Sequence, residues 1–175
     1  MIMRSSPFLS SLLLASVLVA AAAATLAIPA AAAGAGIELN DKPTPADVGL
    51  PAYPGATIRR DKSDDGEGLN LSLWGGSLGF KLALMKFSSS DSVDKVAGFY
   101  RDAMGRYGTV LDCTGPRPAA PAPADKKVLA CNKDDKGEPG GKLYKVGTPQ
   151  QQRVVSIKPI GSGVEFELVR IESSQ

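Results

Sequence analysis

Histidine is absent from all 175 residues. That excludes Ser-His-Asp triads, Cys-His nucleophiles and His-ligated zinc or copper sites. No Gly-rich phosphate loop opens a helix, and the carboxylate pairs sit in turn-like stretches, where solvent keeps them ordinary. No catalytic residue and no cofactor is expected. Charge of one sign is also lacking. Without residues 1–33, which hold Arg4 and no acid, 19 basic residues face 18 acidic ones. A nucleic-acid partner has no electrostatic footprint in such a chain. After residue 28 no apolar run is long enough to cross a bilayer, which takes about 20 residues.

The one long apolar run lies at the start. Arg4 precedes residues 8–28, which are almost wholly apolar, and Pro29 is followed by small residues through Gly36. This is the order of a secretory signal peptide, with cleavage expected after Ala33. An uncleaved N-terminal anchor is the alternative reading. Cleavage leaves an exported protein, periplasmic or extracellular, with no transmembrane segment. Residues 34–48, with three acids and two prolines, read as an extended lead-in to a single domain over residues 49–175.

Only two cysteines occur, Cys113 and Cys131. In an exported chain an even pair reads as a disulfide. A redox role is disfavoured, because redox pairs sit close together at a helix start.

Residues 50–56 read LPAYPGA. Pro54 and Gly55 suit the two central positions of a type II turn, with Leu50 and Tyr53 anchoring it to the core. Strands are expected at 56–60, 69–74, 80–87, 109–113, 127–132, 142–146, 153–159 and 164–171. In residues 69–74, Leu69, Leu71 and Leu73 alternate with Asn70, Ser72 and Trp74. Residues 80–87 are apolar on both faces, which suits an interior strand.

Helical spacing runs from Asp91 to Tyr107, with Asp91 as the expected cap. Its stripe is Val93, Val96, Ala97, Tyr100, Met104 and Tyr107, and Gly108 stands just past the end. The resulting class is α+β: an antiparallel sheet of about seven strands with one main helix, about 91–107, packed on one face.

Two features suggest binding. Trp74, the sole tryptophan, either packs on a second buried face or stands with Asn70 and Ser72 as a contact surface for a sugar or peptide. Asp61, Ser63, Asp64 and Asp65, followed by Gly66, match the first half of a calcium loop. Position twelve of that loop is Ser72 instead of glutamate, and an Asp-Gly pair between strands is also an ordinary hairpin turn, so these are weak metal candidates.

Residues 50–56, then Val96-Ala-Gly-Phe-Tyr100 with Gly108, then a C-terminal hairpin, resemble small secreted bacterial proteins of unknown function that carry a YPGA turn and an FY…G helix. The resemblance covers most of the mature chain. It implies export from a bacterium and a module without catalysis, and it brings no site residue. The functional expectation is therefore an exported bacterial domain that binds an envelope protein, peptide or glycan. A periplasmic hydrolase or isomerase built on carboxylates, and a calcium-binding module, are the alternatives.

Overall fold

The computed structural model describes residues 34–59, 68–115 and 127–174. The strands are β1 (Gly36–Asn40), β2 (Thr57–Ile58), β3 (Gly68–Gly75), β4 (Leu78–Ser89), β5 (Leu111–Asp112), β6 (Lys142–Gly147), β7 (Gln151–Ile160) and β8 (Gly163–Ser174). The helices are α1 (Pro45–Val48) and α2 (Val93–Gly105). All strands join one 8-stranded sheet in the order β1-β3-β4-β8-β7-β6-β5, with β2 added beside β4. Every pairing is antiparallel. The described residues are thus mainly β, with eight strands and two helices among them where about seven strands and one main helix were expected.

The alternation in β3 and β4 sets the two faces of the sheet. Ala83, Met85 and Phe87 of β4 pair in register with Arg170, Leu168 and Phe166 of β8. Leu168 and Phe166 in turn pair with Val155 and Ile157 of β7. These apolar side chains form one buried cluster with Val96, Ala97, Tyr100 and Met104 of α2 and with Val48, Leu50 and Tyr53. α2 contacts β6 and β7; α1 contacts β4 and β8. The other face carries Leu69, Leu71 and Leu73 opposite Leu84, Leu82 and Phe80, and none of these belongs to the buried cluster.

Several local expectations hold in detail. Gly55 has φ 76° and the Ala56 N–H donates to the Tyr53 carbonyl at 3.0 Å, as a type II turn requires. Leu50 and Tyr53 are buried. Cys113 and Cys131 form a disulfide with Cα atoms 5.5 Å apart.

Others are corrected. Residues 36–48 are not a bare lead-in. Ile37 and Leu39 of β1 pair with Leu73 and Leu71. At α1, Thr44 N and Oγ1 both donate to the Asp47 carboxylate at 2.7 Å, and Pro45 opens the helix. Residues 127–132 form no strand. The disulfide ties Cys131 to Cys113, and the Asn132 N–H turns to the Asp135 carboxylate at 2.6 Å instead of a ladder partner.

The cap of α2 is Ser92, whose Oγ accepts from the Lys95 N–H at 3.4 Å. Asp91 stands one residue earlier. Its carboxylate accepts from the Tyr53 hydroxyl and from Lys95 Nζ, both at 2.8 Å. The hydrogen bond from Lys95, then that from Tyr53, hold the Asp91 carboxyl below the usual carboxylate range. A carboxyl depressed in the fold adds stability above its unfolded pKa and loses it as pH falls through the folded one. Asp91→Asn is therefore expected to be less stable than the parent at pH 7. In urea titrations the gap should close as pH falls below about 4, where the parent's carboxyl protonates.

Candidate functional site

Asn70, Ser72 and Trp74 are alternate residues of β3 and share the sheet face that carries the core. They lie at the end of that face beyond the buried cluster. The antiparallel register sets polar and charged groups beside them. Ser72 pairs with Lys81, Lys81 with Glu172, and Glu172 with Gln151. Asn70 pairs with Ala83, which pairs with Arg170. Glu38 of β1 pairs with Ser72 in turn, so one cross-strand row runs Glu38–Ser72–Lys81–Glu172–Gln151 over five strands, forming a polar shelf.

Trp74 stands at the open end of the shelf and is 47 % exposed. One part of its indole lies against Gly36, where a Cβ would run into the ring. Glycine at 36 therefore lets β1 seat the tryptophan while leaving the rest of the indole free. A groove of ≈ 320 Å³ joins Trp74 to Ser72, Lys81, Gln151 and Glu172. A second groove of ≈ 170 Å³ continues to Asn70, Arg170 and Asp47 of α1. On its other side Trp74 borders an apolar groove of ≈ 650 Å³ with Ile37, Leu73, Leu78 and Phe80. The indole is the hinge between an apolar and a polar surface, and it is not a core residue.

The charges of the shelf are unevenly satisfied. Arg170 donates from Nε and Nη2 to Glu172 Oε1, and from Nη1 to the Asp47 carbonyl at 3.2 Å. Arg153, the cross-strand neighbour of Arg170, stacks on the Tyr107 ring with its guanidinium carbon 3.6 Å from the centroid. Burial pulls its pKa down from the ordinary arginine value. The hydrogen bonds from Thr44 hold the Asp47 carboxyl low. Lys81 is exposed and makes no ion pair with a described residue. The shelf therefore offers one free cation, the exposed Glu38 carboxylate, the amides of Asn70 and Gln151, a hydroxyl and an aromatic face.

A different pocket, of ≈ 160 Å³, gathers Glu138, Glu165 and Glu167 with Arg59, Lys86 and Lys158. It is an ion-pair network. Glu165 faces Arg59 at 2.6 Å and Lys158 at 3.2 Å, and Glu167 faces Lys86 at 3.8 Å. Glu165 Oε1 is buried and accepts no well-directed hydrogen bond, so its approach to Arg59 is ionic contact alone. A general acid needs a carboxyl pushed upward. The carboxyls with a resolved shift, Asp47 and Asp91, are both pushed down.

Two short spellings of catalytic serine motifs also occur, and local structure accounts for both. Gly75-Gly-Ser77-Leu-Gly79 reads G-x-S-x-G. It is the tight turn between β3 and β4, whereas the nucleophile elbow joins a strand to a helix. Ser92-Val-Asp-Lys95 reads S-x-x-K. Its serine caps α2, and the Lys95 ammonium is held by Asp91.

Asp61, Ser63, Asp64 and Asp65 lie outside the described residues, as do residues 1–33, the expected signal peptide, and the proline-rich segment after Gly115. Among the described residues no cluster of acids and cysteines is placed to hold a metal ion. None of their helices is long and apolar enough to cross a membrane. Sequence reasoning named Trp74, Asn70 and Ser72, and the structure sets Lys81, Gln151, Arg170 and Glu172, which it did not name, beside them. Their signal is the strand register, which joins positions about a hundred residues apart. No protein-family model matches the chain, and no curated protein or solved structure matches it.

Proposed function

We propose that the chain is an exported bacterial binding module without catalytic activity, and that its ligand is a cell-wall glycan. The observation that carries this reading is Trp74: a lone, half-exposed indole at the end of a row of hydrogen-bonding groups. Sugar rings present an apolar C–H face to an aromatic ring and hydroxyls or amides to polar side chains. Ser72, Asn70 and Gln151 fit the second role. Lys81 fits a carboxylate carried by the glycan or its peptide. Cleavage after Ala33 would release the domain into the periplasm or the medium. The likeness to small secreted bacterial proteins with a YPGA turn supports the same compartment, and so does the disulfide.

The test is cosedimentation of the natively exported protein with purified cell-wall sacculi. Binding is expected. Trp74→Ala should weaken it by at least tenfold, the order of one stacking contact of about 1.5 kcal/mol. Unchanged binding by the variant would remove the site from the proposal. No binding by the parent would remove the glycan.

A further inference from the structure

The polar shelf carries free charge of both signs. Lys81 of β4 and Glu38 of β1 are exposed, and neither makes an ion pair with a described residue. Both stand in register with Ser72 of β3, one on each side of it, and on the same sheet face as Trp74. Arg170 and Glu172 are joined to each other and leave the balance even. The Asp47 carboxylate, in the second groove, takes its hydrogen bonds from Thr44 and adds a further anion. The charges without an ionic partner are thus one cation against two anions.

We propose that the cell-wall glycan of this shelf is one that carries a short peptide with a free carboxylate and a free amine. Lys81 holds the carboxylate and Glu38 the ammonium, while the sugar stacks on Trp74. This inference rests on the glycan reading and specifies the ligand within it. The charges select a glycopeptide. A neutral sugar needs hydroxyl and amide partners and leaves both free charges unused. A polyanionic glycan would meet Lys81 but would also be set against Glu38 and Asp47, and like charges brought together are costly. A zwitterionic peptide satisfies both signs.

The spacing agrees. Glu38 and Lys81 are two strands apart, about 10 Å at about 4.8 Å per strand. That is the span of about three extended residues at about 3.4 Å each. Trp74 lies two residues from Ser72 along β3, about 7 Å away, and one groove joins Trp74, Ser72 and Lys81. A sugar on the indole therefore places a peptide attached to it beside Ser72, between the two charges.

Calorimetry on the natively exported protein tests this with three preparations. They are disaccharide-peptide fragments released from sacculi by muramidase, the same fragments with their amines acetylated, and glycan freed of peptide by amidase. The intact fragment is expected to bind the parent tightest. Acetylation should weaken it about three- to fivefold, the order of one exposed ion pair. Glu38→Gln should show the same loss with the intact fragment and no further loss with the acetylated one. Lys81→Gln should weaken the intact fragment by a similar factor. Both side chains are exposed, so neither change should disturb the fold, and equal urea midpoints check this. Intact and acetylated fragments binding the parent alike overturn the proposal, as does either variant binding the intact fragment as tightly as the parent. In those cases binding of the peptide-free glycan still upholds the glycan reading. A parent that binds none of the three overturns the glycan reading, and this inference with it.

Discussion

Phe166→Ala is expected to lower the unfolding free energy by about 3–5 kcal/mol, the usual cost of truncating a buried phenylalanine. Phe166 is 1 % exposed and sits at the centre of the aromatic cluster. Its ring stacks on Phe87 at 5.3 Å and meets Tyr100 at 5.4 Å and Tyr53 edge-on at 6.1 Å. Those three neighbours come from β4, from α2 and from the Pro-Gly turn, so one ring joins three separate parts of the chain. None can close the cavity without leaving its own partners: the Tyr100 hydroxyl donates to the Pro51 carbonyl at 3.2 Å, and the Tyr53 hydroxyl to Asp91. Against a total of about 5–15 kcal/mol for a small domain, the variant stands close to unfolding. Urea titration checks it: the midpoint should fall with little change in slope. Trp74→Ala, which removes a larger ring, should cost far less, because that ring is half in solvent already.

Removing the disulfide, by Cys113→Ala with Cys131→Ala, is expected to cost about 3 kcal/mol in the chain-entropy picture for a loop of this size. The separation of 18 residues spans a proline-rich stretch with little to bury. The bond also fastens the segment after it. Asp135 is carried over the second sheet face, where it meets Lys145 Nζ at 2.9 Å. Lys145 is only 5 % exposed, and an ammonium so buried depends on its partner. The Gly137 N–H donates to the Thr114 carbonyl at 3.2 Å, and the Leu143 N–H to Thr114 Oγ1 at 3.0 Å. Without the bond, hydrogen exchange should accelerate first at Gly137 and Leu143, before the rest of the sheet opens. Protection unchanged at both amides would show that the segment holds itself.

The parts of the fold that were legible in the sequence are those where local pattern and burial agree. The stripe of α2, the alternation of β3 and the turn at Pro54-Gly55 each bury one side of a regular element. β1 was missed because its two apolar residues, Ile37 and Leu39, are exposed, so their alternation carries no burial signal. α1 has a readable start in Thr44-Pro45-Ala-Asp47 but is four residues long, too short for a periodic stripe. Residues 128–130 look strand-like because they are apolar, yet the disulfide and not a ladder holds them. At the site, the chemistry of β3 was readable and its company was not. Which residues of β4, β7 and β8 stand beside Ser72 and Trp74 is decided by register across the sheet, a long-range property with no local trace.

Trp74 is the sole tryptophan, so emission excited selectively in tryptophan reports on its own surroundings, the polar shelf and the apolar groove beside it. Fluorescence titration with soluble cell-wall glycan fragments, run beside calorimetry, is the most direct test of where binding occurs. A saturable change in Trp74 emission, with the same midpoint as the calorimetric curve, is the predicted result. Saturable heat with the emission unmoved would place the ligand elsewhere and contradict the assignment.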